Sequence, residues 1–532
     1  LNRVIISSLK VIDMNDHGMR SARHRRLSRA VLLGALCVSM MSAHATTFNA
    51  ADTAVQLFRW KWNDIATECT QYLGPKGYGA VQTSPPQASR NLGTWYDVYQ
   101  PVNYAKLDSL MGTETEYRTM IDTCHAAGVR VYADVVINQM AGGSGTASDG
   151  STWNAATLTY PYFSTNDFHT TCQIASADYT ATDRTNVTTC RLNDLPDLKT
   201  DGSYVRGQVG NYLNKLIGMG IDGVRIDAAK HMAPADIAAF LSGTTQTTQA
   251  GEALWVTQEI IPDGGVTPAT YYGNGTVNEF HYVYAMKQMF QNLDGHSLSQ
   301  LETIMGTPNN WGGTWYFMPS DDATVFVDDW DTERGDATSP PASLVASNDV
   351  TGVTNDTSGT KRYDLANILM LAWPYGRTAI VQSGFRFTDQ NQGPPSASPY
   401  DSSGNALINQ SWDFIHRWSD IANMVAFRSA TDGEGVSYFT TGTANQIAFS
   451  RGAKGFVAIN NDSTAWASSV QTLLPAGVYC NVVTGLLNSD KTGCTGDSIT
   501  IGSDGIAKID IGANDGTSVP AVALYVGQRV GG

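Results

Sequence analysis

The chain has 532 residues, 42% hydrophobic and 16% charged, enough for two or three globular domains around a large core. Its formal net charge is −15, and setting aside the first 45 residues, with seven basic and two acidic side chains, deepens this to about −20. Such a balance argues against nucleic acid and anionic membranes as partners and favours a neutral substrate.

Residues 1–45 read as a secretory signal peptide. Arg20, Arg23, Arg25, Arg26 and Arg29 precede the apolar run from Ala30 to Met41, and Ala43-His-Ala45 supplies a small-residue cleavage site. The run is too short to span a bilayer, so export in soluble form, to the periplasm or outside the cell, is expected. Cys37 leaves with this segment. Six cysteines remain, an even number that suits an oxidising compartment. Six allow many pairings, and spacing only hints at Cys69–Cys124, Cys172–Cys190 and Cys480–Cys494. No CxxC or Cys/His cluster points to zinc.

From about residue 55 short apolar strands alternate with amphipathic helices. Strands are predicted at Val55–Trp60, Tyr78–Thr83, Val129–Asn138, Gly223–Asp227, Trp255–Glu259, Val277–Tyr282, Ala323–Asp329 and Thr378–Gly384. Helical periodicity marks Glu116–Ala127, Tyr204–Met219, Ala285–Leu293, Ser297–Ile304, Tyr363–Leu371 and Phe414–Ser429. This alternation predicts an α/β fold, a (β/α)8 TIM barrel. After the third strand a Gly-, Ser- and Thr-rich stretch delays the next helix to about Ser203, which reads as a small inserted domain. A second polar stretch runs over Gly335–Thr360. Beyond about residue 440, short alternating strands with Gly, Asn and Asp turns predict a C-terminal antiparallel β-sandwich. The expected organisation is therefore signal peptide 1–45, barrel 46–138 and 203–440, insert 139–202, and β-domain 441–532.

Three of these strands give way abruptly to an acid: Asp227, Glu259 and Asp331. Arg225 lies two residues before the first and so shares its face of the strand. Any one of these acids could simply cap the next helix. Three of them with an arginine, at the carboxyl ends of parallel strands, read as an active site.

The motifs around these acids resemble those of the α-amylase superfamily, glycoside hydrolase family 13, above all the animal-type enzymes and their secreted bacterial relatives. Asp134-Val-Val-Ile-Asn138, Gly223-Val-Arg-Ile-Asp-Ala-Ala-Lys-His231, Gln258-Glu259 and Phe326-Val-Asp-Asp-Trp-Asp331 match its four signatures, and Leu195-Pro-Asp-Leu198 its short one. The resemblance implies a retaining glycosidase acting on α-1,4-glucan polysaccharides and maltooligosaccharides. Asp227 would be the nucleophile, Glu259 the acid and later base, and Asp331 the acid that grips sugar hydroxyls. Arg225 would keep Asp227 ionised, and Glu259 would need a raised pKa. Substrate contacts carried over are Trp95, Tyr96, Tyr99, Gln100, Gln139, Leu195, Lys230, His231 and Trp330; Tyr96 stands where the family usually has Trp. A structural Ca2+ is implied on the side chains of Asn138 and Asp197 and the backbone carbonyls of Thr188 and His231.

Departures from the family pattern are as specific. Gln139, Trp330 and Trp373 each replace a usual histidine, and two of these lie in the active site. The family's chloride site looks lost, with Asp329 in place of its Asn and Ala379 in place of its basic residue, so activity without chloride is expected. The resulting expectation is a secreted, monomeric, endo-acting α-1,4-glucan hydrolase. Two alternatives stand beside it: a glucanotransferase or specialised maltooligosaccharide-forming enzyme, and a starch-binding relative with weakened catalysis.

Overall fold

Eight short parallel strands close into a barrel: β1 (Thr53–Leu57), β2 (Ala80–Thr83), β3 (Arg130–Val135), β4 (Gly223–Ile226), β5 (Trp255–Gln258), β6 (Thr276–Asn278), β7 (Ala323–Phe326) and β8 (Thr378–Ser383). Neighbours follow chain order, and β8 closes onto β1 with Gln382 beside Gln56. The computed structural model describes residues 47–335, 340–346 and 359–532. The expected signal peptide and most of the polar stretch Gly335–Thr360 lie outside these described residues. Among the described residues no helix is long and apolar enough to cross a membrane.

The barrel interior grades from apolar to charged. Ala54, Ala80, Tyr132, Phe326 and Ile380 form an apolar layer. Two residues further along the strands, Gln56, Gln82, Arg225, Asn278 and Gln382 form a polar one around a small internal cavity. The acids stand at the strand ends beyond it. Gly223 is required in the lower part, because a Cβ there would lie 2.8 Å from both Tyr132 and Trp255. Those two rings stack at 4.1 Å, and no larger side chain fits beside them.

All eight predicted strands exist, most of them shorter than expected, and two predicted elements, one strand and one helix, depart further for identifiable reasons. The sixth was expected to reach Tyr282, but helix α1 (Phe280–Gln291) already begins there. Glu279 stops the strand, its carboxylate accepting from the His281 N–H at 3.1 Å. The predicted helix Phe414–Ser429 is broken into Ile415–Arg417, Ser419–Ala422 and Met424–Ala430. His416 and Arg417 both turn onto the buried Glu68, at 2.8 and 2.7 Å, and Trp418 is extended.

Between β3 and β4 the chain leaves the barrel and returns beside its mouth. There the N–H of Leu198 donates to the Asn138 carbonyl and that of Met140 to the Pro196 carbonyl, each at 2.9 Å. The three disulfides are those the spacing hinted at: Cys69–Cys124, Cys172–Cys190 and Cys480–Cys494. The second staples this excursion.

The C-terminal region is an all-β antiparallel domain of two four-stranded sheets. One contains β9 (Val436–Thr441), β10 (Gln446–Arg451), β11 (Gly455–Asn460) and the last strand, β16 (Ala521–Tyr525). The other contains β12 (Trp466–Gln471), β13 (Gly477–Cys480), β14 (Ser498–Ile501) and β15 (Ile506–Ile511). Three strands of the first sheet, β10, β11 and β16, are buried on both faces, while the edge strand β9 is half-buried to exposed. Ala448, Phe456, Ala458, Val522 and Leu524 meet the second sheet, while Ile447, Phe449, Val457, Ile459 and Ala523 join the barrel's core. Phe449 packs edge-on against the fully buried Trp373 at 5.0 Å, which accounts for a tryptophan where a histidine was expected. Phe449→Ala should therefore cost about 3–5 kcal/mol, read from the urea midpoint of the whole chain. An unchanged midpoint would mean the domain is not coupled to barrel stability.

Candidate active site

Arg225 organises the carboxyl end of the barrel. The β3–β4 register sets Asp134 beside it, and Asp227 and Glu259 follow at the ends of β4 and β5. One guanidinium reaches all three acids: Nη1 to Asp134 at 2.7 Å and Asp227 at 3.3 Å, Nη2 to Glu259 at 2.8 Å. The Trp330 indole lies 4.7 Å from the guanidinium carbon and packs against Phe58 and Tyr99 at 5.0 and 5.8 Å, and those two rings also touch one another at 6.5 Å.

Further donors complete the shell. The Tyr99 hydroxyl donates to Asp134 at 2.8 Å, and the Gln139 amide to Asp227 at 3.3 Å and to the Tyr99 carbonyl at 3.2 Å. The Ala228 N–H donates to Glu259 at 2.7 Å. Ala228 takes φ 49°, a left-handed conformation that costs a non-glycine residue energy and turns its N–H toward that acid.

Above this floor opens a cleft of about 850 Å³. Trp95, Tyr96, Tyr99, Gln100, Gln139, Leu195, Lys230, His231 and Trp330 all line it together with Asp227, Glu259 and Asp331. Arg225 stands behind the acids, outside the lining. Trp330 is only 4% exposed, so its ring serves the stack more than the cleft. Lys230 is turned aside, donating to the Ile261 carbonyl at 3.1 Å with Asp263 at 3.6 Å.

Sequence reasoning missed Asp134 as a site residue and missed Tyr179, which lines the cleft beside Lys230. Asp134 carried a signal, a single acid inside the apolar run Val131–Ile137 of the first signature. Tyr179 lies in irregular sequence with none. The chloride argument also needs a correction of register. Ala379 faces the helical layer, and the β8 side chains that face Arg225 are Ile380 and Gln382. Both are uncharged, so that face of the cavity still presents no second cation.

The residues implied as metal ligands lie on two pairs of contacting segments, Asn138 beside Asp197 and Thr188 beside His231. Gln139 pairs with Asp197 across an antiparallel bridge, and the helix Thr185–Thr189 packs on the turn Ala229–His231. Asp197 gives one oxygen to His169 at 2.6 Å, a partner not foreseen. Its other oxygen and the Asn138 amide oxygen are buried without hydrogen-bond partners.

Comparison with known proteins agrees with this geometry. Residues 66–310 match the family described as alpha amylase, catalytic domain, and residues 439–521 that described as alpha amylase, C-terminal all-beta domain. An α-amylase of Pecten maximus is 37% identical over 528 residues, covering 94% of this chain and 98% of that protein. One from Streptomyces violaceus is 38% identical, covering 94% and 80%. Wild-type α-amylase I of Eisenia fetida superposes with a TM-score of 0.77 at 32% identity, covering 90% of this chain and 99% of that one.

The protonation pattern corrects one expectation. Arg225 does not hold Asp227 low: burial first, then Glu259, raises the Asp227 carboxyl well above the usual carboxylate range against the guanidinium. Burial likewise pushes Asp134 up to about 6. Asp331 reaches cleft solvent, yet desolvation by the walls around it, then Asp329 and Glu259, push it up to about 7. A carboxyl raised by folding binds its proton earlier than in the unfolded chain, near pH 7 rather than about 4. Its contribution therefore favours the fold at low pH and is lost as pH rises through 7. Asp331→Asn removes that dependence. Its melting temperature should gain on wild type from pH 4 to pH 8, and a constant difference across that window would contradict the assignment.

Proposed function

The chain belongs to the α-amylase family of glycoside hydrolases, and on that footing we propose that it is a secreted, endo-acting α-amylase that cleaves α-1,4-glucosidic bonds of starch or glycogen with retention. The observation that carries this reading is the pair Asp227 and Glu259 on one guanidinium at the floor of an aromatic-walled cleft. Two carboxyls sharing one guanidinium suit the short spacing of retention, about 5 Å, better than the wider gap that seats a water between them.

In this reading Asp227 attacks the anomeric carbon while the glycosidic C–O bond breaks and the Glu259 proton passes to the leaving oxygen. Glu259 then takes a proton from the incoming water, which displaces Asp227 from the sugar. Gln139 and Arg225, both donors to Asp227, favour its ionised form. Asp331 and the aromatic walls would hold the sugars on either side.

Calcium belongs to the same proposal. Asn138 and Asp197 would bind it through their unpartnered oxygens, with the Thr188 and His231 carbonyls completing an all-oxygen set. When bound, the ion supplies a structural cross-link between the insert and the segment after β4. Chloride is not expected to be needed, and monomer is the expected state. A glucanotransferase or maltooligosaccharide-forming enzyme is the second reading, favoured by the apolar Trp330–Tyr99–Phe58 stack beside the acids, where water is a poor competitor. A weakened binding relative is disfavoured by the intact acids.

Two experiments test this. With calcium and without chloride, the enzyme should cut starch viscosity and release short maltooligosaccharides, and Glu259→Gln should lose about 10²–10⁴-fold in rate. Products longer than a maltoheptaose substrate, with little new reducing sugar, would make it a transferase; no turnover would overturn the enzyme reading. Separately, chelation should lower the melting temperature, an ion at a hundredfold over its Kd being worth about 2.7 kcal/mol. Asp197→Ala should abolish that response. A wild-type melt indifferent to chelator would remove calcium from the proposal.

A further inference from the structure

One turn beyond Asp331 a cation is buried where the catalytic scheme has no use for it. The Arg334 side chain is 4% exposed. Its Nη1 bonds Glu333 at 2.7 Å and also donates to the Trp330 carbonyl, while its backbone N–H donates to the Asp331 carbonyl at 3.3 Å. Nε and Nη2 are buried without hydrogen-bond partners. In their place stand four aromatic rings, with the guanidinium carbon 4.3 Å from Phe387, 4.9 Å from Trp95, 5.4 Å from Phe385 and 5.8 Å from Phe58. Desolvated ring faces of this kind offset part of the cost of burying a cation.

Two of these contacts belong to the cleft. Asp331 and Trp95 both line it, and Trp95 is otherwise anchored through its indole N–H on the Gln390 carbonyl at 2.8 Å and its own carbonyl on Arg59 at 2.7 Å. Arg334 thus joins the turn that carries the third acid to the underside of the cleft's outer aromatic wall. We propose that Arg334 is a positioning residue, whose guanidinium fixes Asp331 and the Trp95 ring relative to one another so that acid and sugar platform stay in register. The inference rests on the glucan-hydrolase reading. A lysine keeps the charge and can keep Glu333, but it has no plane with which to fill the cage.

The test is Arg334→Lys, alone and combined with Trp95→Leu, assayed on maltoheptaose for kcat and KM separately, with a thermal melt on each. Misplacing an acid by up to about an ångström costs as much as ~10²-fold, so kcat of Arg334→Lys should fall by about ten- to a hundredfold. KM should rise several-fold through Trp95. In the Trp95→Leu background the kcat loss should persist while the KM effect disappears. Wild-type kcat and KM at a lowered melting temperature would overturn the proposal, leaving Arg334 a purely structural residue. KM effects that simply multiply in the double variant would overturn the link to Trp95. Should Arg334→Lys not fold, Phe387→Leu, which opens the cage at its nearest ring and keeps the cation, is read the same way. Calorimetric binding of maltoheptaose to the Glu259→Gln variant with and without Arg334→Lys reads the hold on Trp95 independently of turnover. A protein without glucanase activity would then fail the functional reading and not this one.

Discussion

A single guanidinium in a nearly water-free site holds Asp134, Asp227 and Glu259, and most of the molecule can be understood as what that costs. Removing charges from water is expensive, and their mutual attraction repays it only with good geometry and a full set of hydrogen bonds. Three acids on one cation leave an excess of negative charge. That excess, with burial, holds Asp227 and Asp134 above the ordinary carboxylate range. A barrel suits the task because its strands converge. Parallel register sets Asp134 beside Arg225, and each strand end adds one acid at a fixed height.

The surroundings are arranged around that cluster in layers. Below it, neutral amides on β1, β2, β6 and β8 separate the charges from the apolar base of the barrel. On one side Trp330 lies over the guanidinium and forms a triad of near-parallel rings with Phe58 and Tyr99. The Tyr99 hydroxyl returns to Asp134, so the aromatic stack and the ion cluster share a hydrogen bond as well as a face. The large aromatic content of the chain therefore serves both core and site. The C-terminal sheet contributes from the far side, through Phe449 on Trp373.

Legibility in the sequence followed the kind of information each feature carries. The strands were readable because buried parallel strands are short apolar runs, and the acids because such runs end abruptly at Asp227 and Glu259. Cysteine spacing only hinted at the disulfides, and the cleft residues came from motifs carried over by the family resemblance. What escaped depends on register or on distant partners. Asp134 becomes a site residue only once β3 lies beside β4 in the observed register, and a slip of one residue on β8 decides whether Ala379 or Ile380 faces Arg225. His169 on Asp197 and Arg417 on Glu68 are pairings no local pattern encodes, the latter spanning 349 positions.

Two positions at which the family resemblance leads to a histidine are filled by residues with different partners. At position 139 a glutamine amide donates to Asp227, so a hydrogen-bond donor to that acid is present despite the change of residue type. At position 330 the indole lines the cleft but is only 4% exposed there, most of its ring being packed on Phe58, Tyr99 and Arg225. What it adds is a neutral, polarisable face on Arg225 where an imidazole would have competed for protons with three acids. Asp329 next to it, buried and accepting from the Thr332 N–H at 2.8 Å, adds negative charge on the same side. The charged groups that flank Arg225 are therefore all carboxyls, and Trp330 adds a ring face to them and no titratable group.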